Sequence, residues 1–306
     1  MRAWLRNAIS VLALLVGFIA WSLTPSKLHE RPARNFELPA AQPPAGMSIA
    51  ALVSGESRAR AIFAYRGGSW GDVRTFTTGG ILVRHPQGSL LVDTGFGSHL
   101  EEHRAELNVV ARNMFESTLG TPIVQQLKAA GIEPSSLKAI VLTHAHWDHV
   151  SGADDLRSVP VWVPRAELAF IQGGSEHSSL ARQLKLNYVA YDFPNGPYLT
   201  FPHSRDVFGD GSVVLVPAPG HTPGSIIVFL ALPDGRRYAL LGDLVWQKEG
   251  IELPAERPWP SRLMVDDDAT QVRELILTMQ QISRSFPAML MVPAHDARVW
   301  SSLPGL

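Results

Sequence analysis

The chain predicts an α/β fold, with strands and helices layered around a buried core. β-branched runs bounded by Pro and Gly alternate along it with amphipathic runs that carry helix-start and helix-stop residues. Four short apolar runs, "AIVLT", "VVLVPAPG", "YALLG" and "MLMVPA", have the length and composition of buried strands. Each leads into a candidate metal ligand: His144, His221, Asp243 and His295 respectively. Strand ends on one edge of such a fold converge, so residues far apart in sequence can surround one point.

Composition limits what that point can be. With 306 residues, 45% hydrophobic and 18% charged, the chain can bury a substantial core in one or two domains. Its formal net charge is −1 and no Lys/Arg run stands out, so the electrostatic footprint needed to bind nucleic acid is missing. There are no cysteines. Disulfides, a thiol nucleophile, thiolate metal ligands and a lipidated cysteine are thereby excluded, and any metal must be held by nitrogen and oxygen.

The elements follow in order. Behind Arg2 and Arg6 runs an uncharged, mostly apolar stretch from Ala8 to Leu23, which fits a signal-peptide core, a membrane anchor or a buried core helix. Its place at the terminus behind basic residues favours the first two. The nearest small-x-small cleavage site, Ala20-Trp21-Ser22, holds a bulky tryptophan, which favours an uncleaved anchor. Lys27, Arg31 and Arg34 compete with Arg2 and Arg6 for the cytoplasmic side, but long domains translocate largely regardless of flanking charge. The expectation is a body anchored to the membrane and facing the periplasm or extracellular side, with a secreted or periplasmic form after cleavage as the alternative. Residues 24–46 carry five prolines and read as a semi-rigid linker, so one folded domain spans residues 47–306.

Within that domain "TTGGILVRHPQGSLLVDTG" predicts a hairpin turning at Pro86 to Gly88. "TPIVQQLKAAG" predicts a helix with Thr121 as N-cap, Pro122 at the first helical position and Gly131 beyond its end. A second helix follows Asp266 to Asp268, with Val272, Leu275, Ile276, Met279 and Ile282 on one face. The aspartate triplet reads as favourable charge at that helix N-terminus.

The densest chemistry lies in "VLTHAHWDHVSG", residues 141–152. His144 and His146, two apart, present their rings to one side of an extended segment. Asp148 and His149 point elsewhere, so one loop can serve two ions. With His221, Asp243 and His295 the set holds five histidines and two aspartates, which suits zinc or a similar divalent metal better than calcium or magnesium. Zinc on nitrogen ligands makes hydroxide available near neutral pH, and its residual positive charge favours an oxyanion transition state.

"HAHWDH" followed by "PGHTPG", "LLGD" and "VPAHD" resembles the metallo-β-lactamase superfamily over about residues 70–300. That resemblance implies a four-layer αββα sandwich with a dinuclear metal site at one edge. It implies His144, His146 and His221 at one metal, Asp148, His149 and His295 at the second, and Asp243 bridging both. Asp148 would also orient a metal-bridging hydroxide. Asp93, in "LLVDTG", matches a position that supports the ligands from behind, and it can equally cap the glycine turn.

Further features narrow the reading. Only eleven residues follow His295, and position 146 is not the glutamate of di-iron relatives, so the chain resembles the small lactonase-like members. A metal-dependent hydrolase of lactones or other esters is expected, acting on a small molecule. Thioester, phosphotriester or β-lactam hydrolysis and a non-catalytic, membrane-tethered metal-binding module are the alternatives. Many lactonases of this group place tyrosine three residues after the bridging aspartate, where this chain has Trp246. An indole donates one hydrogen bond but supplies no phenolic proton.

Within the long segment between His149 and His221, "GGSEHSSLARQLKLNYVAYDFPNGPYLTFPH" (residues 173–203) is expected to form a flap over the metals, with Tyr188, Tyr191, Phe193 and Tyr198 as possible pocket residues. Trp246 and Trp259 are further candidates for that pocket. "GGSWG" matches a serine-nucleophile pattern at Ser69, but the β-branched sequence after it argues against the helix which that motif requires. His29, His85, His99, His103, His177 and His203 read as ordinary surface or loop residues.

Overall fold

The computed structural model describes residues 2–32, 36–107, 112 and 116–306. Twelve strands among the described residues form two sheets. The first takes the order β4 (Glu116–Leu119), β1 (Ser48–Arg60), β2 (Val73–Arg84), β3 (Ser89–Val92), β5 (Leu137–Val141), β6 (Val161–Pro164), β7 (Tyr188–Tyr191). The second takes the order β12 (Met289–Val292), β11 (Arg237–Leu240), β10 (Ile226–Ala231), β9 (Val213–Pro217), β8 (Arg205–Asp206). β2 and β3 make the expected hairpin, and Gly88 supplies the positive φ (125°) of its turn.

Alternation along the strands sorts the side chains into layers. Ile81, Val83, Leu90, Val92 and Val141 of the first sheet meet Leu215, Ile226, Val228, Leu240 and Val292 of the second in one buried core. The opposite face of the first sheet buries Leu82, Leu91 and Ile140 against Ile123, Leu127, Ile171 and Leu180 from flanking helices. Val214, Val216, Ile227 and Phe229 do the same for the second sheet against Val272, Ile276, Met279 and Ile282. The result is helix, sheet, sheet, helix, an αββα sandwich. Covering the outer faces explains why so many strands read as continuous apolar runs rather than alternating ones.

Several local expectations change. The helix after Gly120 begins at Ile123, with extended Pro122 as its N-cap, and Gln126 Nε2 donates to the Thr121 carbonyl instead of leaving Thr121 to cap. Of the aspartate triplet only Asp268 caps the Ala269–Ser285 helix, accepting from Thr270 N and Gln271 N. Part of the expected flap is regular structure, the Ser179–Leu184 helix and edge strand β7, which pairs in parallel with β6, while residues 192–203 carry no helix or strand. His85 is buried, stacked on Phe208 at 3.7 Å and 2.9 Å from Asp210. His103 is buried too, with Nδ1 2.8 Å from Ser151 Oγ.

The N-terminal apolar run forms the helix Arg2–Leu23 and begins earlier than the run itself. Residues Trp4–Leu23 are long and apolar enough to cross a membrane, and their low burial (6%) sets aside the buried-core-helix alternative. Residues 24–46 form no helix or strand where described, yet they are not a free spacer. Leu28 N donates to Pro254 O, Gln42 N to Asp210 O and Gln281 Nε2 to Pro32 O, while Leu28 and Phe36 pack on the outer core of the second sheet. Arg34 lies outside the described residues.

Candidate metal centre

Strand direction builds the site. β3 and β5 are parallel neighbours, as are β11 and β12, and β9 runs the same way as β11 because each is antiparallel to β10. The segments leaving their C-terminal ends therefore share one edge. Asp93 follows β3, Thr143 to His149 follow β5, His221 follows β9, Asp243 follows β11 and His295 follows β12. Backbone hydrogen bonds tie these segments together: Asp93 N to Val141 O, Ile226 N to Thr143 O and Ala294 N to Gly242 O.

After β5 the chain remains extended through His146 (φ −70°, ψ 156°), then turns helical at Trp147–Val150. That change of geometry sets His144 and His146 together and turns His149 to the other side. Ligand atoms of His144, His146 and His221 lie within 4.8 Å of one another. The same holds for Asp148, His149 and His295, and for His144, His149 and Asp243. Asp243 spans the two clusters, with Oδ1 3.2 Å from His149 Nε2 and 3.0 Å from His295 Nε2, and Oδ2 3.5 Å from His221 Nε2. Asp148 Oδ2 is 3.5 Å from His295 Nε2, and its side chain is the most exposed of the two aspartates at 22%.

Each of four histidines spends Nδ1 on the protein. His149 meets Asp93 Oδ2 at 2.9 Å, His221 meets Asp266 Oδ1 at 2.9 Å, His295 meets the Thr77 carbonyl at 2.8 Å, and His144 meets Thr143 Oγ1 at 3.1 Å. Such partners fix the ring so that Nε2 faces the centre, the arrangement metal-ligating histidines use. His144 Nε2 and His221 Nε2 are buried with no hydrogen-bond partner, and buried Asp243 Oδ1 meets only the two histidine nitrogens, without an aligned hydrogen bond. Unpaired buried polar atoms are costly, and divalent cations among them satisfy all three at once. The residues present therefore fit such ions.

The profile of the Metallo-beta-lactamase superfamily matches residues 80–295, more than half of the chain and inclusive of every residue in these clusters. The chain belongs to the metallo-β-lactamase superfamily. A "Probable metallo-hydrolase" of Mycobacterium tuberculosis is 29% identical over 238 residues, covering 71% of this chain and 73% of that one. An N-acyl homoserine lactonase of a Bacillus species is 29% identical over 174 residues, 56% of this chain and 65% of the lactonase. Among solved structures, an N-acyl homoserine lactone hydrolase with the product N-hexanoyl-L-homoserine at its catalytic metal centre matches in fold with a TM-score of 0.68. It is 20% identical and covers 84% of this chain and 96% of that one.

Electrostatics follow from burial and neighbours. Burial, then the surrounding histidines, hold His144 and His146 well below the ordinary histidine pKa, so both are neutral and ready to ligate. Burial opposes charge on His149 as well, but Asp93 and Asp243 outweigh it and raise its pKa well above the ordinary value. Burial likewise works against an ionised Asp243, and His295 and His149 overcome it, holding the carboxyl well below its usual range.

Asp93 sits with φ 58°, a left-handed backbone that Asp tolerates better than most residues. Its carboxylate accepts from Thr143 N at 2.7 Å and Thr143 Oγ1 at 2.8 Å in addition to meeting His149, so it braces the ligand loop.

Trp246 is not presented to a pocket. It is buried, and its indole Nε1 donates to Asp243 Oδ2 at 2.8 Å. Tyr188 and Tyr191 are also absorbed by packing. Tyr188 donates from its hydroxyl to Ala181 O and packs on the helix side of its sheet, while Tyr191 is buried between the sheets beside Phe193. Tyr198 packs on Phe229 at 5.1 Å, and Trp259 meets Phe18 at 5.4 Å. Ser69 lies on an exposed turn where its Oγ accepts from Gly71 N, and strand β2 follows at Val73 instead of a helix.

Four contributors were not foreseen. Glu167 is fully buried and accepts from Ala145 N, between His144 and His146, and from Thr222 Oγ1 and Gly224 N beside His221. One carboxylate thus staples two ligand loops, and burial pushes it up to about 7 in spite of those three donors. Asp266 and Arg257 form a buried ion pair behind His221, and Arg257 also donates to the Asp243 carbonyl at 2.9 Å. His177 brings its ring to 5.8 Å from that of His146.

Proposed function

We propose that this protein is a dinuclear metal hydrolase that opens lactones or closely related esters, with its body held at a membrane by the Arg2–Leu23 helix. The observation that carries this reading is the convergence of seven nitrogen and oxygen ligands at one strand edge, with Asp243 spanning two clusters. Five of the seven are histidines and none is sulfur, which favours zinc over calcium or magnesium. His144, His146 and His221 would hold one ion, Asp148, His149 and His295 the other, with Asp243 shared.

Bound there, two divalent cations supply a hydroxide nucleophile near neutral pH and positive charge that favours an oxyanion. The chain's own residues do the rest. Asp93, Asp266, Thr77 and Thr143 fix the histidine rings, and Trp246 holds Asp243 by its Oδ2. Asp148, the partly exposed carboxylate, would orient the nucleophilic water. Relatives named as lactonases support the substrate class, and Trp246 sets this chain apart from the tyrosine pattern of that group.

The test is proton release by the full-length, metal-loaded protein on acyl-homoserine lactones, with thioester and phosphotriester substrates in parallel. Lactone opening that a chelator abolishes supports the proposal. Chelator-resistant turnover overturns it, as does full activity and full metal content in Asp243→Ala.

A further inference from the structure

The N-terminal helix is fixed onto the body rather than hung from it. Phe18 meets Trp259 edge-on at 5.4 Å, and the Arg66 guanidinium lies 4.5 Å over the Trp21 ring. Arg66 also donates to Trp21 O at 3.0 Å and to Thr24 O at 3.3 Å, and Gly67 N donates to Leu23 O. Gly67 has φ +92°, and a Cβ there would meet Pro25 at 3.0 Å, so the chain leaves the helix pressed against this turn.

A series of contacts runs outward from that junction. Trp259 opens the Trp259–Val265 helix, Ser261 Oγ on that helix donates to Phe63 O, and the Phe63 ring meets Trp70 at 5.8 Å. Near this run of contacts Leu263 is 67% exposed and Trp70 58% exposed, with Arg60 4.9 Å from the Trp70 ring. Single exposed hydrophobics need no explanation. These, however, cluster where a 20-residue apolar helix joins the body. Tryptophan, with an apolar ring and one N–H, favours the headgroup level of a bilayer, and an arginine beside it suits the anionic surface there.

We propose that this strip, Leu263 and Trp70 with the exposed flank of Trp259, seats in the interface of the bilayer that the helix enters, so that the body rests on lipid in one orientation. This rests on reading Arg2–Leu23 as a membrane segment. Behind the strip, Val265 packs on the cluster of Ala61, Tyr65, Phe76 and Trp246, and Trp246 bonds Asp243. One packed layer therefore separates the seated face from the metal centre.

The absence of cysteine makes the test direct. Single cysteines replace Leu263, Trp70, Leu14 in the helix, and Gly235, in the turn leading into β11 at the edge opposite the metal centre. Each carries an environment-sensitive fluorophore on the full-length protein in phosphatidylcholine/phosphatidylglycerol vesicles, with and without lipids brominated on the acyl chain. The expected result is blue-shifted, bromolipid-quenched emission from labels at 263, 70 and 14, and water-like, unquenched emission at 235. Quenching at 14 with water-like emission at 263 and 70 overturns the seating while leaving the anchor intact. Water-like emission at 14 as well overturns the membrane reading and the seating with it.

Discussion

Replacing Trp246 with phenylalanine isolates one hydrogen bond at the centre of the site. Phenylalanine keeps an aromatic face against Phe76, 5.8 Å away, and beneath the Arg257 guanidinium, 4.9 Å away. It removes the Nε1–H that sits 2.8 Å from Asp243 Oδ2. A hydrogen bond to a charged acceptor contributes about 1.5–3 kcal/mol, which at about 1.4 kcal/mol per decade is roughly 10- to 100-fold in an equilibrium constant. Oδ2 is the oxygen that faces His221, so the loss should fall on the metal position His221 shares with His144 and His146. The assay is metal content after dialysis against graded chelator, read beside kcat/KM on a lactone, with the thermal midpoint as a check on folding. Unchanged metal retention and kcat/KM in a folded variant would refute the argument that Trp246 clamps the shared carboxylate.

Asp266→Asn keeps the shape but removes the charge that pairs Arg257 behind His221, and metal affinity should fall roughly 10- to 100-fold, measured by competition with a chromophoric chelator. Glu167 titrates at about 7 when folded against 4.5 for the ordinary carboxyl. Between those values the folded form keeps a proton that the unfolded chain has released, so stability falls as pH rises, by up to about 3 kcal/mol across the window. Denaturation midpoints at pH about 5 and about 7.5 should show that slope in the metal-loaded protein and lose it in Glu167→Gln. Removing the metals should lower the thermal midpoint by roughly 5–10 °C per ion initially present at about a hundred times its Kd, and restoring a divalent cation should reverse the shift.

The buried strands and the candidate ligands that follow them could be read from local signals, whereas the four-layer order came from the family resemblance. Buried strands are short apolar runs, and AIVLT, YALLG and MLMVPA each run straight into a candidate ligand. The supporting groups carried no such signal. Glu167 reaches Ala145 across 22 residues and Thr222 across 55, and Asp266 reaches His221 across 45, so only the folded chain brings them together. Asp266 was hidden further by its neighbours, because a run of aspartates before a helix invites a capping role that Asp268 alone fills. Tyr188 and Tyr191 suggested a pocket through their aromatic character, but they are three apart in a strand and so face opposite sides of the sheet. Each is therefore taken up by a different core.

The docking of residues 21–32 and of Phe36 alters what counts as the working protein for anyone preparing it. A fragment begun at Met47 would strip Leu28 and Phe36 from the outer core of the second sheet and leave Arg66 without two of its carbonyl acceptors. Arg66 also lies against Glu256, whose neighbour Arg257 holds the carbonyl of Asp243. Trimming the N-terminal segment for solubility is thus an edit made three side chains from Asp243. Activities measured on such a fragment would describe a protein with a loosened floor beneath the His/Asp cluster.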